Sequence, residues 1–304
     1  MSPTIAVFGS ANIDHVVRVE SAPQRGETLT GRSYDQLVGG KGANQALAAA
    51  RAGAAVRMVG AVGDDADGAA IRDVLRSDGV DTSSLDTVHV SSGTAHITVD
   101  DRGDNSIIVV PGANGEVRTL TDSHRHAIAG SDMLLLQLEL PLEAVVEAAA
   151  YARSVSVPVM LTPAPVQPLT AAQLADVDVL VLNEPESSGL SGVSDPRGAA
   201  DALVEMGVGV VVVTLGERGC LCVASDADEV IEESAPVVDA VDTTAAGDTF
   251  AGCLAVALAE GRDRRAALRW AGTAAALSVQ SFGASTSMPT RAAIEAALAE
   301  RGDE

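Results

Sequence analysis

A loop of small and polar residues, Asp242 to Phe250 with the sequence DTTAAGDTF, opens directly into an apolar helical stretch. Backbone N–H groups at such a helix start can approach a phosphate closely when no bulky side chain intervenes, and the helix dipole adds roughly half a positive charge. The residues that leave this space are Ala245, Ala246 and Gly247. The loop therefore predicts an anion hole built from backbone amides rather than from lysine.

Asp248 lies in the same loop, beside the group that this anion hole would bind. It could orient an attacking hydroxyl and accept its proton as a general base. A carboxylate at a helix N-terminus is a weak base, but in a loose phosphoryl-transfer transition state the hydroxyl loses its proton late. The alternative is an ordinary acid in a first helical turn that Thr243 or Thr244 caps. The spacing alone favours neither interpretation.

A second glycine-rich turn, Gly39-Gly40-Lys41-Gly42, enters an Ala-rich helix. Its glycines let the backbone approach a ligand, and Asn44 offers both a donor and an acceptor to a polyol. Lys41 is followed by glycine rather than by serine or threonine, so the turn is not a Walker A loop. Simple turn geometry is the alternative explanation for these glycines.

Three more polar residues follow apolar runs that are typical of strands. Asn12 and Asp14 stand at alternate positions, so their side chains point to one side if the first strand continues. Glu139 directly follows the run that ends at Leu138, which places a carboxylate at the carboxyl end of a strand, where open α/β sheets bind ligands. Side chains placed in this way could bind neighbouring hydroxyls, although each one alone is more typical of an ordinary loop.

The elements that must position these residues alternate between short β-branched runs and Ala-rich helical stretches. This alternation predicts βαβ units, a mainly parallel sheet and one principal α/β domain over residues 1–304. The expected strands are Ile5 to Phe8, Val56 to Val62, Met133 to Leu138, Val157 to Leu161, Val177 to Leu182 and Val208 to Thr214. The expected helices are Ala43 to Ala52, Ala66 to Ser77, Leu142 to Arg153, Pro196 to Met206, Ala246 to Glu260, Arg264 to Gln280 and Thr290 to Arg301.

Two segments, approximately residues 12–37 and 94–110, interrupt the alternation and predict a small separate sheet. In the second segment, Thr94 to Val99 and Ser106 to Val110 flank a turn-rich stretch that is typical of a hairpin. A small sheet near the strand ends could act as a lid over a bound ligand. The alternative is that the two segments form surface hairpins without a role in ligand binding.

The composition restricts the partners and the compartment. The 20 Lys and Arg residues stand against 42 Asp and Glu residues, and the resulting net charge of -22 disfavours binding to nucleic acid or to anionic membranes. Cys220, Cys222 and Cys253 lack the spacing of a disulfide framework or a zinc site, so buried thiols are expected. No apolar run approaches a membrane span. A soluble cytoplasmic protein is therefore expected.

The motifs GGKGANQA, from Gly39, and DTTAAGDTF, from Asp242, together resemble the two signatures of the ribokinase-like carbohydrate kinases. The resemblance extends over nearly the whole chain, from Gly9 to Pro289. It implies a three-layer αβα sandwich with a mainly parallel central sheet and a small β-sheet lid. The implied activity is ATP-dependent phosphorylation of the 5-hydroxymethyl group of a pentose, in the first place D-ribose, and the joint match favours the general-base interpretation of Asp248.

The resemblance also implies roles for individual residues. Sugar contacts fall on Asn12, Asp14, Gly40, Lys41, Asn44, Glu139 and the base Asp248. Nucleotide contacts fall on Asn183, Thr214, Gly216, Glu217, Arg218, Gly219, Gly247 and Asp248. Asn183 and Glu186 match an element that helps to organise Mg²⁺ and phosphate. A monovalent cation, K⁺ in the first place, would be surrounded mostly by carbonyl oxygens of Asp242, Thr244, Ser278, Ser281, Gly283 and Ser287. The resemblance further implies a homodimer that forms through the lid sheets.

Several alternatives stay open on the sequence. The substrate could be deoxyribose, fructose or a nucleoside, although aromatic residues make up only 2% of the chain and flat bases are commonly bound by rings. His96 lies in the expected hairpin, and the sequence does not show whether its side chain faces the pocket, where it could change the sugar preference. A sugar-responsive binding protein without catalysis is the alternative from another functional class.

Overall fold

Buried apolar strands form the centre of the computed structural model, which describes residues 2–300 and residue 302. The strands are β1 (Thr4–Phe8), β2 (Asn12–Arg18), β3 (Ser33–Gly39), β4 (Ala55–Gly63), β5 (Asp81–Val88), β6 (Gly93–Val99), β7 (Asn105–Val110), β8 (Met133–Gln137), β9 (Val159–Thr162), β10 (Val179–Asn183), β11 (Val210–Thr214), β12 (Cys220–Ala224) and β13 (Ala227–Glu233). The helices are α1 (Lys41–Arg51), α2 (Ala66–Ser77), α3 (Asp122–Ala129), α4 (Leu142–Ser154), α5 (Ala171–Leu174), α6 (Glu184–Ser191), α7 (Pro196–Glu205), α8 (Ala246–Ala259), α9 (Arg264–Ser278) and α10 (Arg291–Glu300).

The large sheet has the strand order β13-β12-β11-β10-β9-β8-β1-β4-β5. Its pairs are parallel from β11 through β5, and only β12 runs antiparallel to both of its neighbours. Successive residues of β8 alternate between two apolar clusters, with Leu135 in one and Leu134 and Leu136 in the other. Helices therefore cover both faces of this sheet, as its continuously apolar strands predict.

The two helix layers differ in what they position. Helices α1, α8 and α9 contribute Leu47, Leu254 and Trp270 to one apolar cluster, and α4 and α7 contribute Val145 and Leu203 to the other. In the first layer, α8 packs closely on α1: a Cβ at Gly252 would lie 2.7 Å from the Gln45 carbonyl oxygen. This close approach places the N-termini of α1 and α8 side by side at the carboxyl edge of the sheet.

The small sheet has the order β3-β2-β6-β7. Strand β2 pairs antiparallel with β3 and parallel with β6, and β6 pairs antiparallel with β7 across the turn that the sequence predicts. The expectation of a three-layer α/β fold with a mainly parallel sheet and a separate small β-sheet is therefore confirmed.

The expected central strands and helices are all present, with ends that shift by at most two residues. Helix α2 has the expected bounds, whereas the expected end of the last helix at Arg301 lies outside the described residues. Strands β5 and β13 and helices α3 and α6 were not expected, because their largely polar sequences carry no continuous apolar run. Helix α5 was not expected either and has only four residues. Within the described residues, no helix combines the length and the apolar character needed to span a membrane.

The cysteine side chains are buried, as the sequence predicts. Burial raises the pKa of the Cys220 thiol to about 12, that of Cys222 to about 11 and that of Cys253 to about 12. The thiols are therefore protonated at neutral pH and behave as small apolar groups.

Candidate functional site

Asp248 lies in the first turn of α8 and is only 7% exposed. Asn44 donates from Nδ2 to its Oδ2, and Gln45 donates from Nε2 to its Oδ1, each over 3.1 Å. Burial raises the pKa of Asp248, while the Lys41 ammonium and the two amide donors oppose that shift. The carboxylate is thus held by charge and by hydrogen bonds at the junction of α1 and α8.

Two more carboxylates share the electrostatic environment of Asp248. Burial, together with the negative charges of Glu139 and Asp248, raises the pKa of Asp14 to about 7. Burial alone lowers the pKa of Lys41, but Asp248, Glu139 and Glu186 outweigh that effect and raise it overall. One ammonium therefore stands among several carboxylates, a set of groups that can bind the hydroxyls of a polyol.

Glu139 is tied to the start of α1. Its Oε2 accepts hydrogen bonds from the Ser10 hydroxyl and, over 3.0 Å, from the Lys41 backbone N–H. Gly40 precedes the helix with φ +87°, a left-handed conformation that suits glycine, and it supplies no side chain that could cap the helix. Glu139, two residues after the end of β8, provides this cap and holds the glycine turn against the end of the central sheet.

Asn12 is fixed by a residue that the sequence analysis did not select. Asn114 donates from Nδ2 to Asn12 Oδ1 over 2.8 Å, and its Oδ1 accepts from the Ala11 N–H over 3.1 Å. A Cβ at Gly93 would lie within 2.3 Å of both amide side chains, so glycine is needed there. The stretch PGAN, which ends in Asn114, was the sequence signal that could have identified this contact.

Asn44 has a buried polar atom without a partner. The residue is 6% exposed, and its Oδ1 has no hydrogen-bond partner among the described residues, while its Nδ2 is bonded to Asp248. A buried acceptor left without a donor is costly. A ligand hydroxyl next to Asp248 would satisfy this atom.

The start of α8 has the geometry of an anion site. Ala245 precedes the helix with φ +58° and no side-chain cap. The Ala246 N–H already donates to the Thr243 carbonyl oxygen over 3.2 Å, so the amides that can meet an anion are those of Gly247 and Asp248. The anion hole expected from the sequence at Ala245, Ala246 and Gly247 stays a prediction, and in this structure the Ala246 amide is occupied within its own turn.

A cavity of about 740 Å³ adjoins this helix start, and both Ala246 and Gly247 line it. The end of β11 and the turn after it form another wall through residues to which the resemblance assigned nucleotide contacts: Thr214, Gly216, Glu217, Arg218 and Gly219. Asn183 and Asp248 are not among the lining residues, although Asn183 pairs with Thr214 across β10 and β11. The volume suits a nucleotide-sized ligand.

Sequence reasoning missed two walls of this cavity. One is the segment from Glu233 to Val238, and the other is a face of α9 made of Leu268, Gly272, Ala275, Ala276 and Val279. The α9 residues recur at helical spacing, and small residues among them leave the space. That spacing was visible in the sequence, but it also fits close helix packing.

Asn183 and Glu186 form a capping box at the start of α6. Glu186 Oε2 accepts from the Asn183 N–H over 2.9 Å, and Asn183 Oδ1 accepts from the Glu186 N–H over 2.8 Å. The negative charge of Glu186 also contributes to the raised pKa of Lys41, so the capping box lies within electrostatic reach of the site. Within the described residues, no group of three or more His, Cys, Asp or Glu side chains is arranged to hold a metal ion alone. This donor set fits a Mg²⁺ ion that keeps its waters and binds mainly to phosphate.

The residues expected around a monovalent cation are partly brought together by Asp242. Its Oδ1 accepts from the N–H of Thr244 over 2.9 Å, and its Oδ2 accepts from the N–H of Gly283 over 3.0 Å. These bonds lower the pKa of Asp242 although burial opposes them. The hydroxyls of Ser278 and Ser287 donate to carbonyl oxygens in their own turns. Oxygen ligands for a cation at this place would therefore come from the backbone. Among the described residues, the Ser281 side chain makes no hydrogen bond.

The small sheet has two distinct faces, and its register settles the orientation of His96. His96 pairs with His15, and the two rings stack with centroids 5.0 Å apart. Asp14 precedes His15 in β2, so its side chain points to the opposite face. His96 therefore lies on the face away from Asp14 and does not contribute to the pocket.

The comparisons with known proteins agree with this geometry. A model of the pfkB family of carbohydrate kinases matches residues 2–291. The chain is 44% identical to ribokinase of Bacillus subtilis, with 97% of this chain and 99% of that protein covered. It is 37% identical to deoxyribokinase of Salmonella typhi, with 94% and 95% covered. Arabidopsis thaliana ribokinase complexed with ribose and ATP superposes with a TM-score of 0.92 at 34% identity, covering 98% of this chain and 99% of that one.

We expect Asp14→Asn to stabilise the ligand-free protein in a pH-dependent way. The pKa of Asp14 is raised from 3.8 to about 7, so the stability linked to its neutral form is lost as the pH rises through that range. The free energy of unfolding of the variant should exceed that of the wild type by an amount that grows from pH 5 to pH 7. This difference should level off above pH 7, reaching on the order of 3 kcal/mol. Thermal unfolding across this pH range measures it.

The matched control is Asp35→Asn, which changes an exposed aspartate of the neighbouring strand β3. Its stability should stay within roughly 0.5 kcal/mol of the wild type at every pH. A constant advantage of Asp14→Asn over the whole pH range would contradict the electrostatic origin of the effect.

Proposed function

The chain belongs to the pfkB family of carbohydrate kinases, and on that premise we propose that it uses ATP to phosphorylate the 5-hydroxymethyl group of D-ribose, giving D-ribose 5-phosphate and ADP. The observation that carries this proposal is the buried carboxylate of Asp248, which lies between a cluster of polyol-binding groups and a nucleotide-sized cavity. The relation to the ribose- and ATP-bound structure of the Arabidopsis protein supports both ligands.

Asp248 serves as the general base in this proposal. It accepts the proton of the ribose hydroxyl as the phosphoryl group moves to that oxygen, and it orients the hydroxyl for in-line transfer. The amides of Gly247 and Asp248 bind the migrating phosphoryl group, supported by the dipole of α8. The Lys41 ammonium and the amide donors of Asn44 and Gln45 favour the ionised form of this carboxylate and so oppose the rise in its pKa that burial causes.

The sugar is held by the polar groups on the other side of Asp248. Asp14 and Glu139 accept hydrogen bonds from its hydroxyls, and Asn44 Oδ1 accepts one more in place of its missing partner. The remaining contacts come from Asn12, Gly40 and Lys41. Relatives named for ribose and for deoxyribose keep deoxyribose as the second candidate substrate.

ATP lies in the cavity between the turn after β11 and α9, with its γ-phosphate at the start of α8. Mg²⁺ on the phosphates would neutralise part of their charge, with Asn183 and Glu186 holding its water shell. K⁺ would lie beside the loop that Asp242 fixes, bound by backbone oxygens. This loop presents the first turn of α8, so the cation affects how the anion hole is formed.

The small sheet acts as a lid and pairs with the lid of a second copy. Strand β7 lies at the edge of this sheet, and Ile107, Ile108, Val109 and Val110 are 44–69% exposed. An exposed apolar strand at a sheet edge is suited to association with another chain. The whole chain then functions as one α/β domain with a lid, in the cytoplasm, where its buried thiols stay reduced.

We expect the protein to release ADP when D-ribose, ATP and Mg²⁺ are present, and to do so faster with K⁺ than without it. The value of kcat/KM for ribose should exceed that for 2-deoxyribose by at least about 100-fold, because a site built to bind a hydroxyl rejects the analogue that lacks it. Fructose and adenosine should be poorer still. Ribose-induced thermal stabilisation without ADP release would favour a binding protein instead. Preference for another sugar would change the proposed substrate and leave the proposed kinase activity in place.

Asp248→Asn should lower kcat by about 10²- to 10⁴-fold while ribose still stabilises the protein against heat, because the amide keeps the size of the side chain but cannot accept the proton. Asp122→Asn is the matched control, since Asp122 is an exposed aspartate in the first turn of α3. Its kcat should equal that of the wild type. Full activity of Asp248→Asn would remove the assigned base.

Ile108→Asp should convert a dimer into monomers, because it places a charge on the most exposed apolar residue of β7, which is 69% exposed. Val155→Asp, at an exposed position after α4, is the control and should leave the molar mass unchanged. Light scattering coupled to size-exclusion chromatography measures both. A wild-type monomer at micromolar concentration, or a dimer in Ile108→Asp, would exclude the lid as the interface.

A further inference from the structure

A line of three buried polar side chains runs from the central sheet to Asp248. Gln137, the last residue of β8, donates from Nε2 to Gln45 Oε1 over 2.7 Å, and Gln45 donates from Nε2 to Asp248 Oδ1 over 3.1 Å. Both glutamines are completely buried. We propose that Gln137 and Gln45 form a relay that orients Asp248 and keeps it charged for the reaction, as positioning residues that do not touch the sugar.

The direction of each amide carries the argument. A glutamine amide has an oxygen that accepts and an NH₂ group that donates, and a flip exchanges them. Because Gln137 donates to the oxygen of Gln45, it leaves the Gln45 NH₂ group pointing at Asp248 Oδ1. With the Gln45 amide reversed, two oxygens would face each other, which disfavours the ionised carboxylate.

The two carboxylate oxygens of Asp248 accept hydrogen bonds from different residues and therefore have different roles. Oδ1 is bound by Gln45, and Oδ2 is bound by Asn44, the residue whose other amide atom still has an open acceptor. Oδ2 is therefore the oxygen on the side where the sugar hydroxyl would bind. Gln137 binds the Gln45 amide on the side away from Asp248. The orientation of the carboxylate therefore depends on β8 as well as on the first turn of α8.

Gly9 makes room for the relay. A Cβ at this position would lie 1.9 Å from Gln137 Oε1 and 2.9 Å from the Gly42 Cα. Gly9 follows β1, so the turn after one central strand is kept small for the side chain that ends its neighbour. Gly9 has no direct contact with a ligand in the proposed function. The space that Gln137 needs explains why this position is a glycine.

The inference rests on the proposed function, because the relay matters only if Asp248 is the base. Two substitutions of Gln137 test it. Gln137→Met removes the donor and lets the Gln45 amide turn over, and Gln137→Glu replaces the donor by an ionised acceptor that favours the reversed amide. The matched control is Thr162→Val: Thr162 pairs with Gln137 from β9, is 9% exposed, and its hydroxyl has no partner among the described residues.

The measurement is kcat and KM for ribose as a function of pH, with ribose-dependent thermal stabilisation as the check that each variant is folded. We expect Gln137→Met to lower kcat roughly tenfold, with KM changed less than about twofold, as expected for the loss of one hydrogen bond to a charged group. The acid limb of the kcat profile should move up by about one pH unit, because loss of an N–H donor raises the pKa of a carboxylate. Gln137→Glu should move it further, and Thr162→Val should not move it.

Each outcome can be assigned. An unchanged acid limb in both Gln137 variants would overturn the relay, even if their stability falls, because a purely structural role changes unfolding and not the titration of the base. If Gln137→Met fails to fold, the acid limb of the kcat profile of Gln137→Glu is the test, and an unchanged limb in that variant overturns the relay. Absence of ribose phosphorylation by the wild type would reject the proposed function itself, so the two failures are distinguishable.

Discussion

The arrangement of the site depends on one buried charge, the carboxylate of Asp248. Removing a carboxylate from water is costly unless donors and a counter-charge replace the water. Asn44, Gln45 and Lys41 supply them, and all three come from the first turns of α1. The close packing of α1 on α8, which Gly252 permits, is therefore a condition for the charge as well as a feature of the fold.

The same constraint explains how an acidic protein can bind anions. The chain carries a net charge of -22, and the site itself contains Asp14, Glu139 and Asp248 around a single lysine. Long-range attraction of a nucleotide is therefore absent, and binding relies on amides at the start of α8 and on cations. Asp242 fixes the loop before this helix through Thr244 and Gly283, so the proposed anion hole would be shaped before a ligand arrives.

Much of this was predictable from the sequence. The glycine turns, the apolar central strands and the starts of α1 and α8 were found because each depends on neighbouring residues alone, whereas the polar strands β5 and β13 carry no such signal. Ser10, Asn114 and Gln137 were missed because their partners are about 90 to 130 residues away in the chain, and only the sheet order brings them together. The face of His96 was also beyond the sequence, because it depends on the parallel register of β2 with β6.

The scarcity of aromatic residues has a structural counterpart in the nucleotide-sized cavity. Phe250 is its only aromatic lining residue among those described, and α9 offers Gly272, Ala275 and Ala276 instead of rings. Small side chains on a helix leave a flat surface that can contact a base over its whole face without ring stacking. Such a surface gives contact area but little directional preference, so discrimination must come from the polar end of the site. The chemistry that distinguishes one substrate from another is thereby concentrated around Asp14, Asn44 and Asp248.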